Sequence, residues 1–147
     1  MLTIWDPDCR NELLARYEKL TPDRRPVWGQ MTCAQMIAHV VDPLKAAMGE
    51  KVVAPKPGPF SNPIIRYVVI YWLPWPKGAP TAPEFVHTDD PDFKESLALL
   101  RTKVEQFAAA GEHARREPHP AFGALSYKAW GRLAYRHLEH HLRQFGS

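Results

Sequence analysis

The chain has little cysteine, little excess charge of one sign and no long apolar run. Its two cysteines, Cys9 and Cys33, form no spaced framework, which is typical of a reduced, cytoplasmic protein. The net charge is only +3, with Lys and Arg interspersed among Asp and Glu, and this argues against nucleic-acid binding. The most apolar run, Ile64 to Trp75, is shorter than the ~20 residues of a membrane-spanning helix. No charged-then-apolar leader precedes Trp5, so we expect neither secretion nor a membrane partner.

Several catalytic motifs are also absent from the sequence. It contains no recognisable arrangement of a Ser-His-Asp catalytic triad, no glycine-rich phosphate loop and no paired-cysteine zinc motif. What it does contain is 147 residues, of which 45% are apolar. This length and composition predict one globular domain, residues 1–147, with a substantial core.

Apolar residues recur at helical spacing in four segments, which predicts an all-α fold. The second helix has the sharpest start, because Thr32 followed by Gln35 forms a capping box. Pro43 lies inside its pattern and removes one backbone donor, so we expect a kink rather than an early end. The predicted helices run from Asp8 to Lys19, from Thr32 to Gly49, from Asp92 to Gly111 and onward from Ser126.

A proline-rich segment separates the second predicted helix from the third. Nine of the 15 prolines lie between Pro55 and Pro91, which excludes one continuous helix there. Within it, Phe60 to Leu73 fits a short helix and a strand equally well. We therefore expect a four-helix bundle with a long crossover. The apolar segment Ile64 to Trp75 is the candidate contact for a homodimer.

Three histidines fall on the apolar faces of predicted helices. His39 lies in the second helix, whereas His137 and His141 lie four residues apart in the last helix, on one helix face. Trp130 precedes them on that face, so they should point inward. Three neutral imidazoles plus a water make the open site typical of catalytic zinc, and nickel or iron would also accept them. The alternative is a cluster of core histidines that hydrogen-bond to carbonyl groups.

Neighbouring residues leave two questions open about this site. His140 is three residues after His137 and competes as the second ligand of the last helix. Asp42 either orients the His39 imidazole or is a solvated helix residue. Glu139 should face away from any ion held by the histidines, so HLEHH is not the zinc-protease motif.

Four segments resemble a known family. Trp28 to His39 reads WGQMTCAQMIAH, and His137 to Gln144 reads HLEHHLRQ. Both are similar to the ligand segments of the DinB/YfiT-like superfamily of metal-dependent hydrolases. An uncharacterised branch of that superfamily also shares the stretch from His119 to Ser126 and the proline-rich stretch from Leu73 to Glu84. The resemblance implies a four-helix bundle with a long crossover and a divalent metal bound by His39, His137 and His141.

The resemblance also implies a class of chemistry. Some members are similar to transferases and isomerases in which the metal activates a low-molecular-weight thiol. The physical basis is that a coordinated thiol is deprotonated. The expectation is therefore metal-activated thiol transfer or hydrolysis of a small-molecule substrate. The alternative is a non-catalytic bundle that binds a metal or an apolar ligand. A catalytic site would keep an exchangeable water, whereas a structural site would be closed by a fourth protein ligand.

Overall fold

The computed structural model describes residues 1–79 and 81–147, and over these residues it contains helices and no strand. The all-α prediction is confirmed. None of the described helices is long and apolar enough to cross a membrane. The helices are α1 (Pro7–Glu18), α2 (Cys33–Ala47), α3 (Pro63–Tyr71), α4 (Phe93–Ala109) and α5 (Tyr127–Gln144), with 3-10 turns at Pro59–Ser61 and Pro83–Phe85.

The four predicted helices are present, and polar side chains set their starts. The Thr32–Gln35 capping box has both of its hydrogen bonds, and it satisfies backbone amides that have no partner within the helix. The Ser126 hydroxyl accepts from the Ala129 amide at 3.1 Å and starts α5. α2 continues through Pro43 to Ala47, so the predicted persistence of this helix is confirmed.

The long connection between α2 and α4 contains α3 and both 3-10 turns. The segment from Phe60 to Leu73, for which the sequence fitted a helix and a strand equally well, therefore contains a helix. Asn62 caps α3 by accepting from the amides of Ile64 and Ile65, and Pro63 suits the first helical position because its missing amide would have no partner there. Between Pro74 and Phe85 the described residues are irregular apart from the second 3-10 turn. Pro80 lies outside the described residues.

The core lies where α2 contacts α4 and α5, and α1 contacts the same two helices. The Tyr17 hydroxyl donates to the Leu138 carbonyl at 2.9 Å and joins α1 to α5. α3 packs on α5, and apolar side chains in and just after α3 lie in solvent, with Ile64 76% exposed and Trp72 72% exposed. The largest fully buried side chains include Tyr17, Met36, Ile37, Leu100, Phe107, Leu142 and Phe145.

One glycine decides how the N-terminal segment meets α5. A Cβ atom on Gly131 would lie 2.1 Å from Nε1 of Trp5. The Trp5 indole is held there because it donates to the Tyr127 carbonyl at 2.9 Å and stacks on the rings of Tyr127 and Phe107. The close approach of this ring to the helix therefore requires glycine at position 131.

Replacing Gly131 with alanine is expected to destabilise the protein by about 1–2 kcal/mol. The change favours the helix itself by about 0.5–1 kcal/mol, but displacing a packed indole costs about 1–3 kcal/mol. Urea unfolding followed by circular dichroism measures the difference. Gly58→Ala is the matched control, because its new Cβ meets no atom within 4 Å. A Gly131→Ala variant at least as stable as the native protein would contradict the expectation.

Candidate metal centre

α5 presents two histidines on its inner face. The buried residues Trp130, Leu133 and Leu138 form the apolar stripe of this helix. His137 and His141 continue this side of the helix, with His141 buried and His137 partly buried. Their ring centroids are 4.8 Å apart. The four-residue spacing thus places both imidazoles against the interior, as predicted from the sequence.

α2 supplies a third imidazole to the same place. His39 is 4% exposed. Its Nε2 atom lies 3.1 Å from Nε2 of His141 and 3.2 Å from Nε2 of His137. The structure therefore brings together the three histidines named from the sequence, although 98 and 102 positions separate His39 from the other two.

Hydrogen bonds on the far side of two rings determine which nitrogen carries the proton. His39 Nδ1 lies 2.9 Å from the Phe85 carbonyl oxygen, and His141 Nδ1 lies 2.7 Å from Gln144 Oε1. Because these oxygens only accept, each Nδ1 carries the hydrogen and donates it. In the neutral rings Nε2 is then an unprotonated acceptor. The unprotonated Nε2 atoms of His39 and His141 consequently face each other at 3.1 Å.

The orientation of Gln144 is itself determined by the chain before α2. Its Nε2 donates to the Trp28 carbonyl at 3.0 Å, which leaves Oε1 directed at His141. Gly29 makes this approach possible, since a Cβ at Gly29 would lie 2.7 Å from the Gln144 amide nitrogen. Gly29 also has a φ of 81°, a conformation that L side chains rarely adopt.

Burial keeps the cluster neutral. It lowers the pKa of His39 and of His137, and the neighbouring histidines lower the pKa of His137 further. For His141, burial and the neighbouring His39 ring lower the pKa to about 3, partly offset by the hydrogen bond to Gln144. At neutral pH the rings therefore stay neutral, and protonation does not remove the repulsion between the lone pairs of the facing Nε2 atoms.

The remaining histidine of α5 lies beside the cluster and not within it. The ring of His140 packs against Trp28 and Trp75, with centroid distances of 5.6 and 5.9 Å. The three nitrogens that lie within 4.8 Å of one another belong to His39, His137 and His141. Glu139 accepts from Arg16 and Arg143 instead, on the side predicted to face away.

Asp42 neither contacts the His39 ring nor is solvated. It is buried, and its Oδ2 accepts from His87 Nε2 at 2.7 Å and from the Lys51 ammonium at 3.0 Å. His87 is two residues beyond Phe85, so this contact ties the loop that carries the Phe85 carbonyl to α2. Asp42 thus anchors the loop that carries the Phe85 carbonyl, and its negative charge partly offsets the lowering of the His39 pKa by burial.

A cavity of about 620 Å³ opens on the histidine cluster, a size typical of small-molecule sites. Its walls come from α2, α3, α5 and the loops that surround them. His137, His140 and His141 all line it, together with His39. A small molecule in the cavity can therefore reach the imidazole nitrogens.

Two groups that orient the histidines are not among the residues predicted from the sequence to act at the site. The first is the Phe85 carbonyl, which comes from the proline-rich connection and carries no side-chain signal. The second is Gln144, whose position three residues after His141 was a usable signal, because residues at that spacing share a helix face.

Fold and site together define an all-helical protein in which three histidine nitrogens converge beneath an apolar cavity. The family model described as "Protein of unknown function (DUF1569)" matches residues 29–147, so the chain belongs to this family. The matched residues include all three histidines of the cluster. No curated protein and no solved structure matches the chain.

Proposed function

We propose that His39, His137 and His141 bind one divalent metal ion, and that the chain is a four-helix bundle of the DinB/YfiT-like superfamily. The observation that carries this proposal is the pair of unprotonated nitrogens at 3.1 Å. Two lone pairs that face each other in a buried place repel, and a shared cation removes that repulsion. A core cluster of hydrogen-bonded histidines would instead place a donor opposite each acceptor.

The spacing of the nitrogens also fits a bound ion. Two imidazole nitrogens at about 2.05 Å from zinc, in tetrahedral geometry, lie about 3.3 Å apart. The observed separations from His39 Nε2 are 3.1 and 3.2 Å. Neutral nitrogen donors suit zinc, nickel and iron, and the polar partners of His39 and His141 are the kind that orient metal-bound imidazoles.

The proposed activity is metal-activated attack by a thiol or a water on a small molecule. His39, His137 and His141 would leave one coordination position of a divalent ion open, and the ion would lower the pKa of a thiol or water bound in that position. The chain's own residues hold the imidazoles in position through Phe85 and Gln144, and the apolar cavity excludes water from the bound molecule. A low-molecular-weight thiol would be the second cofactor.

A specific observation favours a non-catalytic alternative. No aspartate or glutamate occurs among the described residues that line the cavity, so no carboxylate is placed there for proton transfer. In this alternative the same cavity binds and carries a ligand. Cobalt-substituted protein distinguishes the two, because adding a thiol changes the visible spectrum of cobalt only if a coordination position is open.

Metal analysis by mass spectrometry tests the proposal directly. Protein purified without a histidine tag should contain about one equivalent of zinc, nickel or iron per chain. Metal-free protein should regain one equivalent when incubated with the preferred ion and then desalted. A protein that retains none of the three ions after incubation would overturn the proposal.

Replacing Gln144 with leucine is expected to weaken metal binding about 10–100-fold. The change removes the acceptor for His141 Nδ1–H, so the ring loses the partner that sets its orientation and proton position. Competition titration with a zinc-binding dye measures the affinity. Gln30→Leu is the matched control, because Gln30 is exposed and precedes α2. Equal affinities for the two variants would show that Gln144 does not orient the ligand.

A further inference from the structure

We propose that the cavity binds a flat aromatic molecule that carries one anionic group. The inference rests on the proposed metal site, because the ion would supply much of the positive charge. It names the class of ligand, which the histidine cluster by itself does not indicate. Three features carry it: the rings in the walls, the charges around the cavity and the rigid placement of one tryptophan.

Aromatic side chains form much of the cavity. Three of them, Phe85, Phe122 and Trp130, are almost fully buried and form its inner surface, whereas Phe60 is 43% exposed at its edge. Trp28 and Trp75 lie beside the histidines, where both contact His140. Aromatic rings interact with one another edge-to-face or in offset stacks, a gain beyond the burial of apolar area. The walls therefore favour an aromatic ligand over an aliphatic ligand of equal size.

The formal charge carried by the described residues that line the cavity is of one sign. Among the described lining residues Lys56 carries the only formal charge, and none is acidic. Two further cations lie against the aromatic walls: the Lys77 ammonium at 4.9 Å from the Trp28 ring, and the Arg136 guanidinium at 5.1 Å from the Trp75 ring. A divalent ion on the histidines would add to this field. An anionic group is thus attracted, whereas a cationic group would be repelled by the bound ion and meets no carboxylate among the described lining residues.

Trp75 is held in place before any ligand arrives. Its indole donates to the Val69 carbonyl at 3.1 Å. Arg136 donates to the same carbonyl at 2.7 Å and to the Ile70 carbonyl at 2.9 Å, which connects this end of α3 to α5. A wall whose side chain is already ordered costs less entropy when a ligand binds. Trp75 is therefore the side chain whose removal should weaken binding most clearly.

Isothermal titration calorimetry with four matched probes tests the inference on zinc-loaded protein. The probes are 2-naphthoate, neutral 2-naphthamide, cationic 2-naphthylmethylammonium and the saturated analogue decalin-2-carboxylate. We expect 2-naphthoate to bind at least about tenfold more tightly than the amide, and the ammonium not to bind. The saturated acid should bind about fivefold more weakly than 2-naphthoate, because it lacks the ring contacts.

Variants place the ligand in this cavity. Trp75→Ala should weaken 2-naphthoate binding about tenfold, and Trp75→Phe, which keeps an aromatic wall, should retain most of it. Trp72→Ala is the matched control, because Trp72 is 72% exposed and does not line this cavity, so it should bind as the native protein does. Equal binding of the anionic and cationic probes, or equal loss in Trp75→Ala and Trp72→Ala, would overturn the inference.

Metal analysis of the same samples separates the two proposals. Zinc-loaded protein that fails to bind 2-naphthoate overturns the ligand inference and leaves the metal site intact. Protein that binds 2-naphthoate in the expected order but contains no metal site supports the aromatic cavity and contradicts the proposed function.

Discussion

Replacing His39 with alanine is expected to lower zinc affinity by about two to three orders of magnitude. Zinc sites with four protein ligands contribute about 10–16 kcal/mol, or about 2.5–4 kcal/mol per ligand. His39 is the one ligand supplied by α2, so the change would leave two ligands on a single helix. The loss would show that the site joins two helices that are distant in the sequence.

Competition titration of zinc against a chelating dye gives both affinities, and circular dichroism confirms that the variant is folded. His140→Ala is the matched control, because this ring contacts Trp28 and Trp75 beside the cluster. The control should still bind one equivalent of zinc. If His39→Ala bound zinc with native affinity, the histidines of α5 would hold the ion alone, and the three-histidine site would be wrong.

Chelation of the metal is expected to lower the midpoint of thermal unfolding by about 10 °C. An ion that binds only the folded chain stabilises it by about 4 kcal/mol when its concentration is about a thousand times Kd. For a chain of this size each kcal/mol shifts the midpoint by about 2–4 °C. The ion would stabilise the fold because α2 and α5 both supply ligands, so that it would join the two helices.

Differential scanning calorimetry with excess zinc, and again with excess chelator, measures this shift. His39→Ala is the control for unspecific effects of the chelator, and its midpoint should be nearly the same in both conditions. A native protein whose midpoint does not respond to zinc or to chelator would contradict a metal site between the helices. The metal site would be contradicted equally if chelator shifted the midpoints of the native protein and of His39→Ala by the same amount.

Local sequence patterns determined the helices and the inward faces of the histidines. The Thr32–Gln35 box and the Ser126 cap act within four residues of the chain, so helix starts could be predicted from them. The spacing of His137 and His141 sets their shared face, since helical geometry repeats every 3.6 residues. The same rule placed Glu139 on the opposite side, where it contacts Arg16 and Arg143.

Patterns of this kind could not settle the segment from Phe60 to Leu73. Its Val and Ile residues fit a strand as well as a helix, and the choice depends on contacts made after the chain has folded. In the structure Asn62 caps a helix there, and Arg136 of α5 donates to the carbonyls at its end. The helix in this segment is therefore found together with a tertiary contact to α5.

Only the tertiary structure decided which atoms surround the histidines. A backbone carbonyl has no residue-type signal, so the hydrogen bond from His39 to Phe85, which lies 46 positions away, could not be predicted. Asp42 was close to His39 in sequence, yet folding pairs it with His87 and Lys51. Periodicity determines which face of a helix a residue occupies. Which residues meet across that face depends on how the helices and the proline-rich connection pack, because contacts between segments distant in the sequence form only in the folded chain.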